Sequence, residues 1–352
     1  MTKTRSFVLL LAVCMVLTAA VPAAAWNRNP ALTFAVLPDG ATGPEGLTVG
    51  PNGNVYVATF GFNAGGGVSG QGQLYVYTPN GRLLRQVAIA NSTSHLLGLA
   101  FHPKTGALLV IDFGGAQVLK VNPVTGQSTV FMTVSDPANS GLNALTFDKA
   151  GNVYVSDSFL GVIWKTGSTG GAPTSWASDP LLATKGVPPF GANGMVFNHA
   201  STAMFVANTG DDRILKIQVN GDGSAGALSV FTNSINGADG IAIDAHDNLW
   251  VAANQGDEIV VVDSAGKAIA KLGDFHGVGD EGVPRGLLFP ASLAFSADGH
   301  WLYVTNLALD LRIFDPVHFN AIDSGWTAQV QRYTVSKIQA RIPPLKGDRD
   351  ED

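Results

Sequence analysis

The sequence has few charged residues, few cysteines and no apolar segment of membrane-spanning length after its first 25 residues. Only 14% of the 352 residues are charged, with 21 Lys and Arg against 27 Asp and Glu, and the basic residues form no cluster. A nucleic-acid surface needs such clusters to neutralise phosphates. A bilayer-spanning helix needs about 20 consecutive apolar residues. We therefore expect neither a nucleic-acid partner nor a membrane anchor in the body of the chain.

The first 25 residues have the pattern of a secretory signal peptide. Lys3 and Arg5 precede the short apolar run Phe7–Leu17, and Ala23–Ala25 offers a small-residue cleavage site. The pattern predicts that residues 1–25 are removed and that the protein is secreted or periplasmic. A lipid-anchored alternative rests on a loose lipobox ending at Cys14, in which Val is a poor residue before the cysteine.

Cys14 is the only cysteine, so the mature chain would have none. Disulfides, thiol chemistry and cysteine-based zinc sites are thereby excluded. Removal of the signal leaves 19 basic against 27 acidic residues and a net charge of −8. The only run of charged residues is 346–352, and we expect 344–352 to be a disordered charged tail.

The remaining residues, 26–343, predict an all-β protein built from a repeat. Glycine and proline are spread throughout, and short β-branched runs replace any helical periodicity. Six segments share a strand, a turn and a second strand, beginning at positions 45, 97, 143, 193, 239 and 291, with spacings of 52, 46, 50, 46 and 52 residues. Further apolar stretches bring each repeat to four strands. This pattern predicts a six-bladed β-propeller with four-stranded blades.

The sixth repeat lacks an outer strand of its own. It supplies strands near Leu293, Leu302 and 330–335, and we expect Leu32–Val36 to close the blade from the N-terminal side. This arrangement removes an open sheet edge. Residues 309–326 read as a long loop inserted into blade six, of the kind that often lines or covers a site.

The first residue of each repeat should lie beside the central channel. These six positions hold four oxygen-bearing side chains, and the full set is Glu45, Leu97, Asn143, Asn193, Asp239 and Ala291. Two carboxylates and two amides facing one axis form a cage for a hard divalent cation, and Ca²⁺ fits best. Without a cation the two buried carboxylates would face each other at a cost. The alternative is ordinary turn chemistry at strand starts.

The last residue of each second strand should return to the same mouth if the strands pair regularly. The polar members of this second set are expected either to support the cation ligands or to face the substrate. They are Asp112, Asp157, Asn208 and Asn306. The alternative is that these are merely solvated strand ends.

The ordered set of Glu, Asn, Asn-Gly and Asp-Gly, with the segments 191–197 and 238–251, resembles the gluconolactonase-like superfamily. That group includes senescence marker protein, gluconolactonases, paraoxonases and strictosidine synthase-like proteins. The resemblance covers residues 45 to about 306. It implies a six-bladed propeller with a divalent cation in the channel, and hydrolysis of a small-molecule lactone or related ester.

Carried over by position, the resemblance makes Asp239 both a metal ligand and the catalytic base, and Glu45, Asn143 and Asn193 ligands only. The chain departs from paraoxonases at Leu97, where they have a histidine. His95 lies two residues earlier and could reach the mouth, although a surface position is the simpler interpretation. Nearby phenylalanines suggest an apolar mouth, suited to a hydrophobic substrate, or simple packing between blades; they are Phe60, Phe62, Phe113, Phe159 and Phe190.

Two other functions stay open on this scaffold. One is a non-catalytic propeller that binds a ligand or a protein partner. The other is a lyase or synthase of the streptogramin lyase or strictosidine synthase kind. A fold does not separate these, because the chemistry lies in the site.

Overall fold

The computed structural model describes residues 29–319 and 324–342. The predicted signal peptide, 1–25, and the predicted tail, 344–352, lie outside the described residues. Six four-stranded antiparallel sheets make up most of the described chain. The prediction of an all-β, six-bladed propeller is therefore confirmed.

Each blade runs from an innermost strand at the channel to an outer strand at the rim. Blade one consists of Pro44–Val49, Val55–Thr59, Gln73–Tyr77 and Leu83–Ala88; blade two of Leu96–Phe101, Leu108–Asp112, Gln117–Val121 and Ser128–Thr133; blade three of Leu142–Phe147, Val153–Asp157, Val162–Gly167 and Gly170–Ser178. Blade four consists of Ala192–Phe197, Ala203–Asn208, Arg213–Val219 and Ala225–Asn233; blade five of Ala238–Ile243, Leu249–Ala253, Glu258–Val262 and Ala268–Leu272.

Blade six joins the two ends of the described chain. Its inner strands are Pro290–Phe295, Trp301–Asn306 and Thr334–Gln339, and Leu32–Val36 pairs antiparallel with the last of these as the outer strand. The predicted closing strand is confirmed. The third strand begins at Thr334 instead of residue 330, because the N–H groups of Gln331 and Arg332 donate to the Gly282 carbonyl and so leave the sheet.

Several shorter elements lie in the connections between the strands of the blades. Two small hairpins pair Phe62–Asn63 with Gly66–Gly67 and Phe275–Val278 with Pro284–Gly286. The 3₁₀ turns are Pro180–Leu182, Asn254–Gly256 and Leu311–Ile313, and one short α-helix is Ser324–Thr327. Within 29–319 and 324–342, no helix has the length and apolar character needed to cross a bilayer.

The hydrophobic core lies between neighbouring blades. In one cluster Leu109 and Ile111 of blade two pack with Val153 and Val155 of blade three, and all four are buried. Alternation along a strand sends successive side chains to opposite faces of a blade, so each blade packs against both neighbours. The innermost strands contact one another in turn from blade one to blade six and back to blade one, which closes the ring.

Each innermost strand contains a β-bulge at the position expected to face the channel. In blade one Pro44 pairs with Thr59 and Leu47 pairs with Val57, so two residues oppose one on the second strand. The other five blades repeat this register shift. A bulge bends the strand and redirects a side chain. In each blade the bulge therefore interrupts the regular alternation of side chains at Glu45 or the equivalent residue.

Glycine follows the channel-facing residue in four of the six blades, at Gly46, Gly98, Gly194 and Gly240. A Cβ added at Gly194 would lie 2.3 Å from the Asp239 carbonyl oxygen, and one at Gly46 would lie 2.1 Å from the Leu97 carbonyl oxygen. The missing side chain thus lets each innermost strand approach the next one closely enough to bring the ring residues together.

Candidate metal and substrate site

A cavity at one mouth of the channel brings together all four predicted cation ligands. Its volume is about 30 Å³, room for an ion with about one or two waters. The lining is polar at the floor and apolar elsewhere. It consists of Glu45, Phe60, Leu97, Asn143, Pro188, Phe190, Asn193, Thr209, Asp239, Asn254, Phe289, Leu307, Leu309 and Leu311.

Two carboxylates lie at the floor of the cavity, and both are buried. Burial raises the pKa of Asp239 to about 7, against the lowering effect of hydrogen bonds from the Asn254 and Asn193 amides. Burial also raises the pKa of Glu45 well above its usual value, and the negative charge of Asp239 raises it further. The raised values show that this floor favours a positive charge, either protons or a cation.

Asn143 is oriented by a hydroxyl that belongs to its own blade. The Asn143 Nδ2 donates to Ser158 Oγ (3.2 Å), and this hydroxyl donates to the Ala192 carbonyl at the start of blade four (2.7 Å). Because a carbonyl can only accept, the Ser158 oxygen has to accept from the amide nitrogen. The Asn143 Oδ1 is therefore turned away from Ser158, and this buried oxygen has no hydrogen-bond partner.

Asn193 repeats the arrangement one blade further on. Its Nδ2 donates to Thr209 Oγ1 (2.9 Å), and the Thr209 hydroxyl donates to the Ala238 carbonyl (2.7 Å), next to Asp239. In blade five Asn254 Nδ2 donates to Asp239 Oδ2 (3.2 Å). The candidate ligands Asn143 and Asn193 are thus each connected, through a hydroxyl group, to the backbone of the next blade.

The unpartnered atoms at the floor are oxygens. Glu45 Oε2, Asn143 Oδ1 and Asn254 Oδ1 are buried without hydrogen-bond partners. A buried acceptor left unpaired costs about 1–3 kcal/mol, and a hard divalent cation would satisfy several such oxygens at once. The residues present therefore fit a cation. Across the described residues no group of three or more His, Cys, Asp or Glu comes together, so the candidate ligands combine carboxylates with amides.

The insertion in blade six roofs the cavity, as the loop length predicts. Leu307, Leu309 and Leu311 line it from above. Arg312 holds this segment in place, since its guanidinium donates to both carboxylate oxygens of Asp310 (2.9 and 2.8 Å) and to the Ser324 carbonyl (2.7 Å). The roof is thus tied to the short helix that follows.

The second predicted set lies elsewhere. These residues do not line the cavity; instead each binds the segment that leads into its own blade. Asp112 accepts from Thr93 N, Asp157 from Gly141 N (2.8 Å), Asn208 donates to the Leu181 carbonyl (2.8 Å), and Asn306 accepts from Leu288 N (3.1 Å). The residue that follows the second strand lines the cavity in four of six blades: Phe60, Thr209, Asn254 and Leu307. In blade three the equivalent residue, Ser158, contacts the cavity-lining Asn143 instead.

The bulge explains this displacement by one residue. Asp157 pairs with Leu142, the residue before Asn143, so regular antiparallel pairing misplaces the second set. Ser158, Thr209 and Asn254 were missed by the sequence analysis. Their signal is a polar residue directly after the second strand in three consecutive blades.

His95 packs against Phe60 and Phe62 and does not line the cavity. Its Nδ1 is 2.6 Å from the Phe60 carbonyl oxygen, and its ring stacks on Phe62 at 4.8 Å between centroids. Because the carbonyl can only accept, Nδ1 carries the proton in this contact. At this point of the wall Phe60 lines the cavity and His95 does not.

Comparison with known proteins agrees with this architecture. The family model described as SMP-30/Gluconolactonase/LRE-like region matches residues 91–273, just over half of the chain, and the model for the strictosidine synthase-like N-terminal region matches 25–61. No curated protein matches the sequence significantly.

Several solved structures share the fold at low sequence identity. A luciferin-regenerating enzyme aligns with TM-score 0.61 and 16% identity over 86% of this chain and 92% of its own. The calcium-binding protein regucalcin from Agrobacterium tumefaciens aligns with TM-score 0.58 and 16% identity over 89% and 98%. A streptogramin B lyase aligns with TM-score 0.56 and 14% identity over 89% and 99%. Together with the extent of the family match, the blade architecture leads to one assignment: the chain belongs to the SMP-30/gluconolactonase/LRE-like family.

Proposed function

We propose that this protein is an exported, metal-dependent hydrolase of lactones or related esters, with a divalent cation, Ca²⁺ by preference, held by Glu45, Asn143, Asn193 and Asp239. Membership of a family that includes gluconolactonases supports the hydrolase class. The structural similarity to the calcium-binding protein regucalcin supports the choice of ion. The predicted signal peptide supports export.

One observation carries the proposal. The Ser158 hydroxyl donates to the Ala192 carbonyl and accepts from the amide nitrogen of Asn143, so the Asn143 oxygen is turned away from Ser158. This oxygen is buried without a partner in the same cavity as Glu45 Oε2 and Asn254 Oδ1, which are also unpartnered. A floor that packed only for stability would pair these oxygens with donors.

A cation bound at this floor would supply the charge that polarises an ester carbonyl and lowers the pKa of water. In this proposal Asp239 accepts a proton from an attacking water. A bound cation would counteract the effect of burial on the Asp239 pKa and keep the carboxylate ionised for this role. Asn254 and Asn193 orient its carboxylate through their amide groups. The leucine roof excludes bulk water from the floor.

The test is a panel of lactones and aryl and alkyl esters, assayed with Ca²⁺, after chelation, and after Ca²⁺ is restored. We expect activity to be lost and regained accordingly, and Asp239→Asn to lower kcat by about 100-fold or more. Asp222→Asn is the matched control, because Asp222 lies in an exposed turn of blade four and contacts only Ser224. This variant should keep wild-type activity.

Two results would replace the proposal. If chelation lowers the melting temperature while no substrate turns over, the protein is a binding module with a structural ion. If substrates are cleaved in ¹⁸O-labelled water without ¹⁸O entering either product, the reaction is an elimination, as expected of a lyase.

A further inference from the structure

Phenylalanine side chains form a continuous rim around the cavity. Phe60 and Phe190 belong to the cavity wall. Ring-to-ring contacts extend from them: the centroid distances are 4.8 Å for Phe60–Phe62, 5.6 Å for Phe60–Phe113, 6.2 Å for Phe113–Phe190 and 5.5 Å for Phe190–Phe159. We call Phe60, Phe62, Phe113, Phe159, Phe190 and Phe314, which contacts Phe62 at 5.0 Å, the aromatic rim.

The aromatic rim is partly open to water. Phe159 is 46% exposed and Phe314 is 43% exposed, while Phe62, Phe113 and Phe190 are half-buried. Its members come from three blades, from the loop before blade four and from the blade-six insertion. A contiguous apolar surface at the entrance of a polar cavity typically marks a ligand-binding region.

The cavity itself is too small for a whole substrate. With a volume of about 30 Å³ it has room for an ion and one or two water-sized groups. An ester or lactone can therefore bring little more than its carbonyl group to the floor. The remainder of the molecule has to lie against the entrance, and there it meets the aromatic rim.

The cavity is poorly suited to a lactone with several hydroxyl groups. Among the residues that the structure describes, no lysine, arginine or histidine lines it. The Thr209 hydroxyl is already engaged by Asn193 and the Ala238 carbonyl. Hydroxyl groups pressed against leucine and phenylalanine would lose hydrogen bonds to water without replacement, at a cost of about 1–3 kcal/mol for each group.

We propose that the substrates are lactones or esters with an apolar alkyl or aryl substituent, and that this substituent rests on the aromatic rim. The proposal rests on the hydrolase function proposed above for the reaction, but the binding region can be tested separately. Phe159 and Phe314 are the members most open to a ligand, and both can be truncated with little loss of core packing.

The kinetic test uses γ-lactones with alkyl chains of increasing length. Each methylene removed from water is worth about 0.8 kcal/mol when fully buried, so KM should fall about two- to fourfold per added methylene until the rim is covered. Phe159→Ala and Phe314→Ala should reduce this dependence. Phe231→Ala is the matched control, because its ring lies on the outer strand of blade four and packs on Phe205; it should keep the wild-type dependence.

The binding test uses 2-alkylcyclopentanones, which cannot be hydrolysed, and follows them by calorimetry. Tighter binding with longer chains, weakened in Phe159→Ala and unchanged in Phe231→Ala, supports the aromatic rim whether or not any lactone is cleaved. If lactones are cleaved with KM values independent of chain length, or if a polyhydroxylated lactone is preferred, the hydrolase stands and this inference is overturned. If the ketones do not bind, the inference is also overturned.

Discussion

At the scale of single residues, the orientation of two amides determines what the cavity can bind. The Ser158 and Thr209 hydroxyls each accept a hydrogen bond from an asparagine amide and donate one to a backbone carbonyl of the next blade. An amide offers an acceptor on one side and donors on the other, so a reversed Asn143 amide would present N–H groups to a cation at the proposed site. The Ser158 hydroxyl thus favours the orientation in which the Asn143 oxygen is available to a cation.

We expect Thr209→Val to weaken Ca²⁺ binding about 10- to 100-fold, the usual effect of losing a group that orients a ligand. Valine has the shape of threonine but leaves the Asn193 amide and the Ala238 carbonyl without their shared partner. Titration calorimetry with Ca²⁺ measures the change. Thr209→Ser restores the hydroxyl and should restore the affinity; equal affinities in the valine variant and wild type would contradict the role.

The sequence predicts single residues well only where the repeat register is regular. Glu45 and Asp239 could be aligned because each begins a repeated strand. The residue after the second strand could not be aligned in this way, because regular alternation along a strand does not account for the one-residue shift at a β-bulge. The bulge brings Ser158 against the cavity-lining Asn143, while Asp157 binds the Gly141 backbone.

At the scale of elements, the innermost strands have to approach one another more closely than side chains allow. Gly194 and Gly240 each lie against the carbonyl of the next ring position. Blades three and six have Ala144 and Ser292 at the same position, so the close approach is not uniform around the ring. A close approach between neighbouring innermost strands is therefore expected where glycine directly follows the ring residue.

We expect Gly194→Ala to lower the free energy of unfolding by about 1–3 kcal/mol, the typical cost of overpacking, and to weaken Ca²⁺ binding. The new methyl group would meet the Asp239 carbonyl oxygen at 2.3 Å, so the strands carrying Asn193 and Asp239 have to separate. Denaturant unfolding and calorimetry measure the two effects. Gly167→Ala is the control, because nothing lies within 4 Å of its added Cβ; it should change stability by less than about 0.5 kcal/mol.

The order and number of strands could be predicted from the sequence because turn residues bound each apolar run. The start of the third strand in blade six could not. Val330 is as apolar as a strand residue, yet it is buried in a core cluster while Gln331 binds the Gly282 carbonyl of a neighbouring hairpin. A long-range hydrogen bond of this kind leaves no local signal.

At the scale of the whole molecule, the two floor carboxylates make the stability of the metal-free protein depend on pH. Folding raises the pKa of Asp239 from 3.8 to about 7 and also raises that of Glu45. Between about pH 4 and 7 the folded state therefore binds more protons than the unfolded state. Under this condition the free energy of unfolding falls as pH rises.

We expect the chelated wild type to lose about 2–4 kcal/mol relative to chelated Asp239→Asn between pH 4 and pH 7, since one pKa unit corresponds to about 1.4 kcal/mol. The amide does not ionise and does not raise the pKa of Glu45, so the difference between the two profiles reports Asp239 together with its effect on Glu45. Urea unfolding at several pH values measures it, and saturating Ca²⁺ should flatten the wild-type profile. If the free energy of unfolding depends on pH in the same way for the two chelated proteins, the raised pKa of Asp239 is contradicted.

The pairing of Leu32–Val36 with Thr334–Gln339 has a consequence for the timing of assembly. Leu32–Val36 is synthesised before Thr334–Gln339, so a chain that has not yet reached Thr334 cannot complete blade six. Glu45 and Asp239 lie in the two blades that flank blade six, and Thr305 of blade six donates to the Glu45 carbonyl. We therefore expect a cation to bind tightly at the proposed site only after Thr334–Gln339 has paired, and a chain truncated before Thr334 to bind Ca²⁺ weakly.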